Sequence, residues 1–194
     1  MNCDKRLAMA IAPDCDNPHV GGMEPDGVII NRADVDFDAC VREKNIISTL
    51  ALKSGKKGFE VYQTGNNPFT GSNSAFAAGT YINKFTHQVN LLVFDHSAEC
   101  SEKVIDQFAN GQFIAVLKNK HAGADGKSKY QVYGYEAGLR MTEGTHDQYS
   151  EDTEGGWAIA LQETAPTSGL FLYSTSISAT DAAFESLKSE AAGG

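Results

Sequence analysis

Alternation of apolar and polar residues predicts that most of this chain is β-strand. The longest candidate runs over 81–94, where every second residue from Phe85 to Val93 lies on one predicted face. Shorter candidates either alternate in the same way or are apolar throughout, as buried strands are. They lie at 28–30, 46–52, 59–64, 113–117, 130–142 and 157–161.

Three predictions concern the connections and the weaker segments between these strands. We interpret 46–52 and 59–64, joined by a turn that contains glycine and lysine, as a β-hairpin. The stretch 65–80 is polar and rich in glycine, which is typical of a long loop between strands. After the strong strand at 157–161, residues 169–173 are predicted to form a weaker edge segment.

One helix is predicted between two of the strands, over about residues 97–110. Ser97 or Ser101 is suited to cap its amino end, and three apolar residues inside it recur at helical spacing. Gly111 predicts a left-handed cap at its carboxyl end. A second short helix is expected at 181–187.

The order of strands, one helix and further strands predicts a mainly β protein. We expect an antiparallel β-sandwich or barrel with one short flanking α-helix, long loops and extended termini. Residues 1–26 are interpreted as an N-terminal arm, 27–175 as a single β-rich domain and 176–194 as a C-terminal tail. A chain of 194 residues is long enough for one domain with its own core.

Composition and charge narrow the class of protein. An apolar share of 41%, with 10 Phe and 7 Tyr, excludes a disordered chain. Because no apolar run reaches the roughly 18 residues of a membrane-spanning helix, no membrane partner is expected. The apolar run 7–12 is too short for the core of a signal peptide, so we expect folding in a cytoplasm. The net charge of −9 argues against tight binding of nucleic-acid backbone.

The cysteines and the candidate metal ligands do not form a recognisable site. The four cysteines, expected to be free thiols, are Cys3, Cys15, Cys40 and Cys100. Cys15 and His19 are residue types that bind zinc, but no second closely spaced pair accompanies them. The aspartates at 34, 36 and 38 resemble the start of a calcium loop, yet Ala39 and Asn45 stand where Gly and Glu are required. We expect no metal and no other cofactor.

The sequence lacks the short motifs of nucleophilic catalysis and phosphate binding. There is no Gly-x-Ser-x-Gly and no Gly-x-Gly-x-x-Gly, and the Gly-Lys-Ser at 126–128 lacks the upstream glycine of a phosphate loop. Tyr130 and Tyr133 point to opposite faces of their strand, which favours cross-strand packing over a stacking platform. The carboxylates of 143–156 are typical of a solvated surface. We therefore expect no enzymatic activity and no catalytic residues.

Several features follow one another between Phe85 and Leu161. They are a long strand, a short helix ending in Phe108-Ala109-Asn110-Gly111, the strand Phe113-Ile114-Ala115-Val116-Leu117, a hairpin through Tyr133-Gly134-Tyr135-Glu136-Ala137-Gly138-Leu139, and a strand after Gly155-Gly156-Trp157. In this order they resemble the tail tube (major tail) proteins of bacteriophages and of related contractile injection systems. In that family a β-sandwich with one flanking helix forms rings, usually hexameric, that stack around a channel for DNA or another payload.

The resemblance implies a structural virion protein that is assembled in the cytoplasm of a bacterial host. Its partners would be copies of itself in homo-oligomeric, stacked rings, other virion proteins, and DNA as passing cargo without specific binding. The predicted helix would lie on the outside of the ring. An acidic channel fits this function, because like charge lets DNA slide without binding. Candidate lumen or subunit-interface residues are Glu143, Asp147, Glu151, Asp152 and Glu154.

Three alternatives stay open at this point. The first is another virion component of related β architecture, such as a head–tail connector, a tail hub or a capsid decoration protein. The second is a soluble ligand-binding β-domain, for instance a carbohydrate-binding module, which would be monomeric and would expose a flat aromatic patch. The third is a hydrolase that uses the acidic stretch, which would require a pocket with carboxylates of perturbed pKa.

Overall fold

The computed structural model describes residues 6–12, 14–62 and 67–191. Within them the strands are β1 (Met23–Asn31), β2 (Val41–Glu43), β3 (Ile46–Thr49), β4 (Phe59–Tyr62), β5 (Phe69–Ala77), β6 (Lys84–Val93), β7 (Phe113–Asn119), β8 (Tyr130–Tyr133), β9 (Arg140–His146), β10 (Trp157–Ala165) and β11 (Leu170–Leu172). The helices are α1 (Ala98–Cys100), α2 (Asp106–Asn110) and α3 (Ile177–Ser186), with a π-helical turn at Ser101–Ile105 and a 3-10 turn at Arg32–Asp34.

The strands form two sheets, which confirms the prediction of a mainly β sandwich with a flanking helix. One sheet has seven strands in the order β2-β3-β11-β8-β7-β1-β4, and the other has four in the order β5-β6-β10-β9. Neither sheet closes on itself into a barrel. All strand pairs in the described residues are antiparallel except β3 with β11.

The seven-stranded sheet is buried on both faces, and its sequence shows why. In β1, Ile29 packs in the cluster between the two sheets, whereas Val28 and Ile30 pack in a second cluster on the opposite face. Neighbouring strand β7 divides in the same way, with Leu117 in the first cluster and Val116 in the second. The central parts of these strands, 28–30 in β1 and 113–117 in β7, are apolar at every position, as strands covered on both faces are.

Both predicted chain boundaries differ from the structure. β1 begins at Met23, so the boundary placed at residue 27 falls inside a strand. The region 176–194, predicted to be a tail, contains α3, which begins four residues before the helix expected at 181–187. Phe184 and Leu187 from this region are buried in the second cluster. The few apolar residues of 176–194 therefore cover one face of the seven-stranded sheet.

A cation also holds α3 against the seven-stranded sheet. Lys188 Nζ lies 3.1 Å from an oxygen of Asp26 in β1, 3.0 Å from one of Glu60 in β4 and 3.2 Å from one of Glu185. Partial burial opposes the charge, but hydrogen bonds to these carboxylates keep the pKa of Lys188 above its usual range. A raised pKa means that this contribution to stability is fully present at neutral pH and is lost only at strongly alkaline pH.

The predicted flanking helix is present, with one local difference at its end. Ser97 Oγ accepts a hydrogen bond from the backbone N–H of Cys100 at 3.2 Å, as an N-cap does. Gly111 has φ −92°, so the left-handed cap predicted there is wrong. Glycine is needed for another reason, since a Cβ at this position would clash with the Phe113 ring.

The hairpin predicted from 46–52 and 59–64 is wrong. β4 pairs with β1, with Phe59 opposite Ile29, whereas β3 pairs with β2 and β11. Because both β3 and β4 carry alternating side chains, their sequence is compatible with several neighbours. Burial in the whole sheet, rather than closeness along the chain, selects the partner.

The polar loop predicted at 65–80 is also wrong where the structure describes it. Phe69–Ala77 is β5, which pairs with β6 along nearly its whole length. Most of its side chains are small, polar and exposed, because β5 is an outer strand. Its backbone hydrogen bonds to β6, so the strand needs no apolar alternation. Residues 65 and 66 lie outside the described part of the chain.

The segment at 169–173, predicted to be a weak edge, lies inside the seven-stranded sheet. β11 sits between β3 and β8, and both Leu170 and Leu172 are buried. A three-residue strand gives little periodic signal, and its central position follows only from the parallel pairing with β3. The prediction of an edge strand is therefore corrected to a central one.

Candidate functional site

The four-stranded sheet ends in two surfaces of unlike chemistry. β6 pairs with β10 from Phe85 opposite Ala165 at one end to Val93 opposite Trp157 at the other. At about 3.3 Å per residue, these ends are roughly 26 Å apart. The turn between β5 and β6 lies beyond the first end, and the loop between β9 and β10 lies beyond the second.

At the first end an apolar cluster projects into solvent; we call residues 76–85 the hairpin tip. Phe76, Tyr81 and Ile82 are 62%, 96% and 65% exposed. The Phe76 and Phe85 rings pack edge to face, with centroids 6.0 Å apart. Large apolar side chains grouped on an exposed surface are typical of a protein–protein contact.

Sequence reasoning missed the hairpin tip. The sequence predicts a polar loop over 65–80, where glycine, serine and asparagine dominate, and a strand that begins at Tyr81, whereas in the structure β6 begins only at Lys84 and Tyr81 and Ile82 lie in the turn before it. The signal that was present is the group of large apolar residues at 76, 81 and 82 inside an otherwise polar stretch. In a loop these residues would have no core to join, so their side chains had to be either exposed or covered by a partner.

At the second end the structure places the five acidic residues singled out in the sequence. Glu143 lies on β9, opposite Ala160 of β10, and therefore on the sheet itself. The remaining four lie in the following loop, residues 147–156, which we call the acidic loop. All five are exposed.

The acidic loop carries a strong and unneutralised negative charge. Its four carboxylates are accompanied by no lysine or arginine within 147–156. Within the described chain, no ion pair involves these four residues or Glu143. Residues 147–156 carry a charge of −4, and the whole chain carries −9. The acidic end of the sheet therefore repels phosphate more strongly than the end with the hairpin tip.

Backbone contacts give the acidic loop a defined shape. Gly156 N–H donates to the Thr153 carbonyl at 2.8 Å, and Gly155 N–H donates to that of Ser150 at 3.2 Å. A Cβ on Gly156 would clash with the Val93 carbonyl oxygen, so the loop closes tightly on the end of β6. The carboxylates are thus presented from a turn that is fixed to the sheet.

A buried histidine ties the outer strand β5 to the rest of its sheet. His87 Nδ1 lies 2.7 Å from Ser74 Oγ, and its Nε2 lies 2.8 Å from the Thr167 carbonyl oxygen. A neutral ring with its proton on Nε2 donates to the carbonyl and accepts from the serine hydroxyl. Both ring nitrogens are satisfied, which a buried imidazole requires.

The candidate metal ligands are dispersed. His19 packs edge to face on His121, with ring centroids 4.7 Å apart, and Cys15 is exposed. In the described residues no group of three or more His, Cys, Asp or Glu could hold a metal ion. Cys15, Cys40 and Cys100 are free thiols, and Cys3 lies outside the described residues. Burial raises the pKa of Cys40 and of Cys100, which disfavours a reactive thiolate.

Comparison of the chain with protein-family models, curated proteins and solved structures found no match. Of the helices in the described residues, none has the length and apolar character that crossing a membrane requires. The assignment of function therefore rests on the surfaces described above.

Proposed function

We propose that the protein is a structural subunit of a phage tail tube, which assembles with copies of itself into rings that stack around a channel. One observation carries this proposal: the hairpin tip and the acidic loop occupy opposite ends of one sheet. The apolar tip can then bind a different surface of the next copy, as in a head-to-tail assembly, while the acidic end is left to face a channel. In this proposal the rings are hexameric and belong to the virion.

The hairpin tip supplies the contact between copies. Tyr81 is almost fully exposed, and tyrosine is among the residues that most often anchor protein interfaces. Ile82 and Phe76 extend the same apolar surface. Burying this surface against a neighbour removes it from water, which favours association.

The acidic loop lines the channel in this proposal. DNA carries a negative charge at each phosphate, and a wall of the same sign does not hold it. The loop has no cation that would bind phosphate, and its carboxylates are free of ion pairs in the described chain. DNA is then cargo that passes without specific binding. Other virion proteins would contact the two ends of the tube.

The assembly state of the full-length protein tests this proposal directly. We expect light scattering on a sizing column to show large oligomers that grow with concentration, and negative-stain micrographs to show rings and tubes with a central channel. A monomer that persists at high concentration would overturn the proposal in favour of a soluble binding domain. Single rings that never stack would overturn the tube and favour a head–tail connector.

Substitution of the hairpin tip is expected to weaken assembly. We expect the double variant Tyr81→Ser, Ile82→Ser to lower the assembled fraction by about tenfold or more, since each interface anchor contributes more than about 1 kcal/mol. Val41→Ser is the matched control, because Val41 is 55% exposed on the outer strand β2 of the other sheet. Sedimentation velocity measures both variants, and equal assembly of the double variant and wild type would contradict the role of the tip.

Reversing the charge of the acidic loop tests whether this loop faces the channel or the outer surface of the assembly. The variant Asp147→Lys, Glu151→Lys, Asp152→Lys is expected to assemble normally and to retain duplex DNA that is present during assembly, in a salt-dependent manner. Its control reverses three exposed carboxylates of the flanking helical segment, Glu99→Lys, Glu102→Lys, Asp106→Lys. Nuclease digestion distinguishes the two variants. DNA retained by the loop variant should be protected, and digestion of both samples at one rate would contradict the channel location.

A further inference from the structure

Residues 7–12 of the N-terminal arm alternate in sequence as a β-strand does, although in the structure they pair with no described strand and the backbone bends at Met9. Leu7, Met9 and Ile11 are 84%, 84% and 91% exposed, and an alanine stands after each of them. Residues at this spacing line one face of an extended chain. Six uncharged residues without proline, left in water, favour pairing with the edge of another sheet.

Among the residues that the structure describes, no strand pairs with the outer side of β4 in the seven-stranded sheet, and an apolar groove lies beside it. β4 is the outer strand of this sheet and pairs with β1 on one side. Beyond it lies a groove of about 410 Å³ between β4, the end of β6 and the helical segment 98–110; we call it the β4 groove. Its walls include Phe59, Val61, Val104 and Phe108.

The β4 groove is an uncovered margin of the core between the two sheets. Phe59 lies directly opposite Ile29, a member of that core, yet the Phe59 side chain is 55% exposed. Paired residues in neighbouring strands share a face, so a strand added beside β4 would place alternate side chains over this margin. Outer strand β5 of the other sheet presents mostly small polar side chains to solvent, and the groove of about 610 Å³ beside it is lined largely by polar residues such as Asn67, Asn119 and Lys120.

We propose that Leu7–Ala12 of one copy adds as a strand beside β4 of a neighbouring copy, with Leu7, Met9 and Ile11 covering the β4 groove. Strand addition of this kind obtains affinity from backbone hydrogen bonds and specificity from alternate side chains. The occupant is a second copy because the chain's own arm leaves these side chains exposed. The inference rests on the proposed self-assembly.

Disulfide trapping between two full-length chains tests the contact. Both chains carry Cys3→Ser and Cys15→Ser; one also carries Met9→Cys and the other, distinguished by a tag, Phe59→Cys. The control partner carries Asn73→Cys on β5 in place of Phe59→Cys. We expect the disulfide between Met9→Cys and Phe59→Cys to form at least about tenfold faster than the disulfide with this control, because a docked arm has a high effective concentration. Equal rates with the two partners would overturn the inference.

Serine substitution on either face of the arm provides a matched pair. Leu7→Ser with Ile11→Ser, placed in the chain that carries Met9→Cys, should weaken arm docking, whereas Ala8→Ser with Ala10→Ser in the same chain changes the opposite face and should leave docking intact. The readout is the rate at which each chain forms the mixed disulfide with the Phe59→Cys chain; the first pair of substitutions should slow it by about tenfold and the second should leave it unchanged. Equal rates for the two pairs would overturn the role of the apolar face.

Three further outcomes test this inference and distinguish it from the proposed function. A single chain with both Met9→Cys and Phe59→Cys that closes the bond within itself at low concentration would show that the arm fills its own groove, which overturns the second copy as occupant. Rings without the intermolecular disulfide would overturn the inference and leave the proposed function standing. The disulfide without rings would support the arm contact and count against the tube.

Discussion

Phe184→Ala is expected to lower the free energy of unfolding by about 3–5 kcal/mol, the usual cost of truncating a buried phenylalanine. Phe184 lies on the buried face of α3 and is fully buried, and its ring stacks on that of Tyr130 with centroids 4.5 Å apart. The Nζ atom of Lys188 lies 4.8 Å from the centroid of the Phe184 ring. Truncation leaves a cavity between α3 and the seven-stranded sheet, and it removes the main apolar anchor of the helix.

Urea unfolding followed by two signals measures this effect. The single tryptophan, Trp157, lies at the start of β10 in the other sheet, whereas far-UV circular dichroism reports the whole backbone. If α3 belongs to the cooperative unit, both transitions shift together. Ala182→Ser, at an exposed position of α3, should change stability by less than about 0.5 kcal/mol. A loss of less than about 1 kcal/mol for Phe184→Ala would contradict the anchoring role.

The position of α3 shows where sequence analysis was limited. The short helix expected at 181–187 was found, but the region around it was predicted to be a tail because it is rich in serine and alanine. Only a few apolar residues of this region pack against the seven-stranded sheet. Their burial depends on a sheet face that is formed by strands distant in sequence. Periodicity measures the regularity of a segment, whereas burial depends on what the rest of the chain leaves uncovered.

Strand existence was more predictable than strand pairing. The strands β1, β6, β7 and β10 all follow from alternation or from apolar runs, because their side chains are buried on one or both faces. The partner of β4 could not be predicted, since pairing joins segments that are far apart in sequence. β5 escaped prediction because its backbone, not its side chains, attaches it to β6.

Of the two surfaces of the candidate site, the acidic loop was predicted from the sequence and the hairpin tip was not. Charge is local, so a run of carboxylates is recognisable wherever it lies, and the acidic loop was found. The hairpin tip depends on the hairpin that presents it, and that hairpin includes the unpredicted strand β5. Its aromatic and aliphatic residues become notable only when the fold shows that Tyr81 and Ile82 have no core to enter.

A buried carboxylate holds the link by which the chain crosses from the seven-stranded to the four-stranded sheet. Glu163 of β10 accepts backbone hydrogen bonds from Gly134 N–H at 2.5 Å and Ala137 N–H at 3.2 Å. Gly134 has φ +84°, and a Cβ there would clash with the Phe113 carbonyl oxygen, so the turn requires glycine. The turn leads directly into β9 and the acidic loop.

Glu163→Ala is expected to lower the free energy of unfolding by about 3–5 kcal/mol, because it removes two hydrogen bonds to the carboxylate and leaves the buried Gly134 N–H without its acceptor. Glu163→Gln should lose less, since one amide oxygen can still accept from Gly134 while the NH₂ group faces another donor. Glu143→Ala, an exposed carboxylate on neighbouring β9, should change stability by less than about 0.5 kcal/mol.

Chemical unfolding of these three variants, measured by Trp157 fluorescence, tests the expected order of stability. Glu163→Ala should be the least stable, Glu163→Gln intermediate and wild type the most stable. Because Trp157 stacks on His146 at the end of β9, with ring centroids 5.0 Å apart, its native-state emission also reports whether the acidic loop has moved. We expect both substitutions of Glu163 to change this emission and Glu143→Ala to leave it unchanged. Equal stability of Glu163→Ala and wild type would show that the glycine turn holds its conformation without the carboxylate. In that case the packing of Leu139, which is fully buried beside the turn, would be what positions β9.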